Sequence, residues 1–179
     1  MTREELEHAI RAACDITQDT EVYVFGSQAI LGQFPDAPEG LRMSAEADIS
    51  PKNRVERTEL LNEIGEDSPF HRLHGFYVHG VPIDEAATLP KNWRNRVIRV
   101  ASKATRGTAG LCVEANDLAA SKLVAFRDKD REFVRVLLVE RFVTPRKLIA
   151  RIRLLPIDEA ARTRLVKWVD RTAKELRKD

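Results

Sequence analysis

The chain has 179 residues, 43% hydrophobic and 32% charged, with a formal net charge of +2. That balance fits one soluble globular domain with a sizeable core, or one compact domain plus a smaller part, and excludes a disordered or fibrous chain. No apolar run reaches eighteen residues, so no transmembrane helix is expected. The charged N-terminus lacks the apolar stretch of a secretion signal, which gives a cytoplasmic expectation.

The net charge conceals a division. Residues 1–85 hold 7 Lys/Arg against 17 Asp/Glu, a net −10, and residues 86–179 hold 23 against 11, a net +12. A carboxylate site for cations beside a basic wall for an NTP or RNA gives this asymmetry, and so do helices with solvated Lys/Arg faces.

Thr2 reads as the cap of a first helix with Glu4 and Glu5 in its first turn and a stripe of Leu6, Ile10 and Ala13. Residues 21–25, Glu-Val-Tyr-Val-Phe, read as a central strand. Gly26-Ser27 then turns into a short helix over 27–31. Residues 34–40 are a loop rich in Pro and Gly, and 45–50 form a strand ending at Pro51. Arg54 to Glu66 reads as an amphipathic helix with Leu60, Leu61 and Ile64 inward. Strand segments follow at 76–79, 81–84, 97–100 and 111–114, with Trp93 in a loop. From Asn116, read as a cap, the chain becomes helical: 117–127, 129–139, a helix opened by Pro145, and a last one starting at Pro156, with Trp168 in its core. The fold class is therefore α/β (α+β). A small mixed sheet with flanking helices occupies 1–115, and a C-terminal helical part occupies 116–179.

Three features carry chemistry. The Gly26-Ser27 turn can offer backbone N–H groups and a hydroxyl to a phosphate. Glu46 and Asp48, at i and i+2 on a strand, share one face among Ala45, Ala47 and Ile49. Two acids interrupting an apolar strand need a partner, and Mg²⁺ takes oxygen ligands that it shares with substrate phosphates. Asp84 is a third candidate ligand if its strand lies beside that of the pair. In the helical part, Lys122 shares an apolar face with Leu118 and Phe126 and can meet a triphosphate as a point charge, with Asp130 orienting it or Arg127. The histidines, His8, His71, His74 and His79, show no metal-binding spacing and read as structural or surface. The cysteines, Cys14 and Cys112, read as reduced core residues.

Together these residues resemble the nucleotidyltransferase fold of the DNA polymerase β superfamily: a strand, a Gly-Ser turn, [Asp/Glu]-x-[Asp/Glu] on the next strand and a later carboxylate. The segment Asn116-Asp-Leu-Ala-Ala-Ser-Lys-Leu, with Arg127-Asp-Lys-Asp130, makes the chain similar to minimal bacterial nucleotidyltransferase-like proteins that include AbiEii-type and MenT-type toxins. The resemblance covers residues 20–145. It implies metal ligation by Glu46, Asp48 and Asp84, with Glu46 standing where that family has Asp. It implies nucleotide contacts from Gly26, Ser27, Ser44, Lys122 and Arg127, and catalytic roles for Ser27, Glu46, Asp48, Lys122 and Asp130. The implied activity is Mg²⁺- or Mn²⁺-dependent transfer of an NMP from an NTP to a hydroxyl of a tRNA 3′ end or a protein. It would be performed by the toxin of a toxin–antitoxin pair with a cognate antitoxin. A non-catalytic nucleotide- or RNA-binding protein on the same fold, or a protein-AMPylating antitoxin, are the alternatives.

Overall fold

The computed structural model describes residues 1–176 and divides into two compact units. The first comprises Met1–Ala87 and Arg96–Glu114, and the second Thr88–Asn95 and the chain from Ala115 onward.

The first unit opens with helix α1, Arg3–Thr17. Its start is set by a reciprocal cap: the Glu5 N–H donates to Thr2 Oγ1 and the Thr2 N–H donates to Glu5 Oε2, an arrangement that satisfies two otherwise orphaned donors. Leu6, Ala9, Ile10, Ala13 and Cys14 recur on one face and are buried, which sends that face to the sheet. Strand β1, Glu21–Phe25, leads through a 3-10 turn, Ser27–Ala29, into the short helix α2, Ile30–Gln33. After helix α3, Glu39–Arg42, come strand β2, Glu46–Pro51, helix α4, Pro69–His74, strand β3, Tyr77–Gly80, and helix α5, Ile83–Ala86. Strands β4, Ile98–Val100, and β5, Ala109–Cys112, complete a five-stranded mixed sheet of order β3-β2-β1-β5-β4. β1 runs antiparallel to β2 and parallel to β5, and β2 runs parallel to β3. The α/β class expected from sequence is the one found.

Several local expectations change. Residues 55–64 form a 3-10 segment and not an amphipathic α-helix. Its buried residues are Thr58, Leu61 and Ile64, spaced by three, the period of a 3-10 helix, while Leu60 is exposed. The 81–84 strand is absent because Pro82, which cannot donate to a ladder, caps α5 instead. Both cysteines are buried and unbridged, and burial pushes the Cys112 thiol up to about 12.

The second unit holds helices α6, Ala115–Ala125, α7, Asp128–Val139, α8, Pro145–Ile152, and α9, Glu159–Glu175. Thr144 and Asp158 cap the last two through the N–H groups of Lys147 and Ala161. Helix α6 starts at Ala115, so Asn116 is buried within its first turn and does not cap it. Leu118, Leu123, Val134, Leu137, Leu148, Ile152, Leu165 and Val169 form the core. Trp93 is buried in this unit's 88–95 segment, which is tied to the α8–α9 connection by the Lys91 N–H donating to the Leu154 carbonyl at 2.9 Å. Trp168, expected in the core, is only half-buried.

Candidate active site

The register of β2 against β3 builds the first group. Glu46 lies opposite Tyr77 and Asp48 opposite His79. Because side chains alternate along a strand, all four project from one face of the sheet. Ala47, Ile49 and Val78 are buried on the other. The Tyr77 hydroxyl donates to Glu46 Oε2 at 2.8 Å, and His79 Nδ1 lies 3.0 Å from Asp48 Oδ1 and 3.9 Å from Glu46 Oε1. One ligand atom from each of Glu46, Asp48 and His79 falls within 4.8 Å of the others, so the three can hold a metal ion.

Burial first, and then the neighbouring Glu46 charge, raise the Asp48 carboxyl above its ordinary value, while the His79 hydrogen bond works against both. Burial and the hydrogen bond to Glu46 raise the Tyr77 hydroxyl. A half-buried carboxylate beside a second carboxylate asks for a cation, and the donor set of two carboxylates and an imidazole suits a divalent one.

Gly26 fits this arrangement. It ends β1 at φ +66°, and a Cβ built on it would overlap the Asp48 carboxylate. The turn therefore needs glycine twice, for its backbone and for the approach of the acid. With ψ −166° beside that positive φ, Gly26 sits in a region essentially reserved for glycine, so Gly26→Ala is expected to cost about 1–3 kcal/mol for the backbone alone and to displace Asp48 as well. A denaturation midpoint equal to the parent's would contradict this geometry.

Ser27 begins the 3-10 turn, half-buried. Ser44 accepts the Glu46 N–H at 3.0 Å and so fixes the entry to β2. Asp84 lies exposed on the first turn of α5 and outside the group of Glu46, Asp48 and His79 that could hold a metal ion. His79 and Tyr77 are the residues sequence reasoning missed. The alternation Tyr77-Val78-His79 placed both on one face, but only the register aligns them with Glu46 and Asp48. Gln28 was missed too: it is fully buried, and among the described residues neither end of its amide has a hydrogen-bond partner.

The second group lies in the helical unit. Asp130, fully buried, receives Arg127 Nε at 2.6 Å and Nη2 at 3.3 Å, and lies 3.5 Å from Lys122 Nζ. Burial acts to raise the Asp130 carboxyl, but the Arg127 hydrogen bonds and the Lys122 charge outweigh it and hold it below the ordinary range. Lys122 also stands 5.2 Å from the centroid of the Phe133 ring. The structure thus brings Lys122, Arg127 and Asp130 together. Of the basic residues in the second half, Arg99 is tied to Glu21, which also binds Lys52.

The strand, the Gly-Ser turn and the acidic pair on the neighbouring strand stand together in the first unit. The chain belongs to the family DUF6036, described as a nucleotidyltransferase of unknown function, which it matches over residues 4–173. No curated protein and no solved structure matches it.

Proposed function

We propose that the protein transfers an NMP from an NTP to an acceptor hydroxyl, with a divalent ion held by Glu46, Asp48 and His79. The observation that carries this reading is the convergence of those three side chains beside Gly26. The acceptor oxygen forms a bond to the α-phosphorus, the bond from that phosphorus to the bridging oxygen breaks, and pyrophosphate leaves. A carboxylate of the group takes the hydroxyl proton. When bound there, Mg²⁺ or Mn²⁺ would supply Lewis-acid stabilisation of the phosphoryl charge. Gly26, Ser27 and Ser44 orient the nucleotide. Within the helical unit, Asp130 positions Lys122 and Arg127, a pair of cations suited to phosphate charge. A tRNA 3′ end or a protein hydroxyl is the proposed acceptor, and the toxin of a toxin–antitoxin pair the proposed role, with a cognate antitoxin as partner.

The test is incubation with each labelled NTP, Mg²⁺ or Mn²⁺, and total tRNA or cell protein. Label moving to one acceptor supports the reading. Nucleotide binding without transfer for all four NTPs overturns it in favour of a binding protein.

An imidazole in the donor set has a further consequence. Mn²⁺ accepts mixed nitrogen and oxygen ligands more readily than Mg²⁺, whose ligands are oxygen. Calorimetric titration with the metals alone is expected to show Mn²⁺ binding on the order of ten-fold or more tighter than Mg²⁺. His79→Asp should narrow that ratio, and an unchanged ratio would remove His79 from the ligand set.

A further inference from the structure

The second unit carries a basic cleft with aromatic walls along α9. Phe126, Arg164, Lys167, Trp168 and Arg171, with two small residues, line a space of about 460 Å³, and none of the lining residues is acidic. The spacing explains it: Arg164, Lys167, Trp168 and Arg171 stand three or four apart and share one face of α9. Leu165, Val169 and Thr172 take the buried face of the same helix.

Phe126 comes from the α6–α7 junction, where it adopts φ 54°, a left-handed conformation that a bulky residue rarely takes. It is held there by Arg131 Nη1 donating to its carbonyl at 2.6 Å. The Arg131 and Arg164 guanidinium carbons lie 4.8 and 4.9 Å from its ring centroid, and the Trp168 ring meets it edge-on at 6.4 Å. Among the described residues neither Arg164 nor Lys167 has a carboxylate partner, whereas Arg171 shares Glu175. On the other side of Trp168 a second cleft holds charges that pair with one another, Arg131 with Asp128 and Arg135 with Glu175.

We propose that the α9 cleft binds single-stranded nucleic acid, with Trp168 stacking on an unpaired base and Arg164, Lys167 and Arg171 following the backbone phosphates. Cations interleaved with aromatic faces are the arrangement that such strands require. An acidic protein would use the charges and leave the ring without a purpose. A duplex keeps its base faces stacked inside, where Trp168 cannot reach them. The proposal goes beyond the transfer reading and holds or fails whether or not Glu46 and Asp48 support catalysis.

The test uses the full chain with EDTA and no NTP, so that transfer plays no part. Labelled twelve-residue oligoribonucleotides and oligodeoxynucleotides, a blunt RNA duplex and polyglutamate are titrated by anisotropy, with tryptophan emission recorded in parallel. Trp93 is buried, so a change in emission reports Trp168. Single strands are expected to bind and quench the emission, and the tighter of RNA and DNA identifies the natural occupant. Trp168→Ala should weaken binding on the order of ten-fold. Should that variant fold poorly, Arg164→Gln/Lys167→Gln alters only exposed side chains. It should reduce the slope of log affinity against log salt by about 1.4, the value for two phosphate contacts on a single strand. Unchanged affinity and slope in the double variant, strand binding without quenching, or equal binding of duplex would overturn the proposal. Tight binding of polyglutamate that the strands cannot displace would overturn it in favour of an acidic protein.

Discussion

Asp48→Asn is expected to lower nucleotidyl transfer by at least ~10²-fold, the scale for losing one electrostatic stabiliser of a phosphoryl transition state, while the metal-free protein becomes more stable. The two effects have one origin. In the parent, burial and Glu46 hold the Asp48 carboxyl above its ordinary value, so the folded chain binds a proton there more tightly than the unfolded chain does. The sign follows: stability falls as pH rises from the unfolded value of 3.8 through the raised folded value, and at neutral pH the ionised side chain opposes folding. Asparagine removes the charge at nearly constant shape. Its melting temperature without metal should therefore exceed the parent's at pH 7 and converge with it in acid. Adding Mn²⁺ should reverse the order, because a ligand that binds only the folded state stabilises it in proportion to occupancy and the variant has lost a ligand. A variant that transfers nucleotide near the parent rate, or one whose metal-induced shift equals the parent's, would remove Asp48 from the site.

Why Asp48 was legible in the sequence and His79 was not follows from the range of the interactions that place them. The cap at Thr2, the apolar run of β1, the Gly26-Ser27 turn and the i, i+2 spacing of Glu46 and Asp48 are local patterns with a period of two or 3.6, and each appears as read. The partnership of Asp48 with His79 depends on how β3 aligns with β2 across the 25 residues between Pro51 and Tyr77, and a slip of one residue would have turned His79 to the other face. Asp84 drew attention as a third carboxylate at the end of an apolar run, but Pro82 ends the ladder before it. The 3-10 segment misled for a different reason: Leu61 and Ile64 suit both an α-helical and a threefold period, and Thr58, a polar residue that is buried, decides between them. Trp168 was assigned to the core by its chemistry, although the face of α9 it occupies is set by Arg164 and Arg171, not by Leu165 and Val169.

The buried Asp130 supports the largest expected effect on stability. Asp130→Ala should cost about 3 kcal/mol, the low end for breaking a buried ion pair by removing one partner. The low end applies because the Arg127 side chain is 59% exposed, so water takes over its charge, whereas Lys122 is 16% exposed and would be left with little solvent. The pH dependence has the opposite sign to that of Asp48. A carboxyl held below its ordinary value contributes stability that is present above the unfolded value of 3.8 and is lost as pH falls through the folded value. The difference between parent and Asp130→Asn in urea titrations should therefore be full at pH 7 and shrink below pH 4. A gap that stays constant to pH 2 would mean that shape and not charge holds the site. Lys122→Met/Asp130→Ala separates structure from chemistry. Replacing both members of a buried pair with uncharged groups is often nearly neutral, so the double variant should recover much of the stability that Asp130→Ala loses. If Lys122 serves only to neutralise Asp130, nucleotidyl transfer should return with the fold. If Lys122, or Arg127 that Asp130 also holds, meets the phosphates, the double variant should be stable and still impaired by about 10²-fold, and that combination is the expected one.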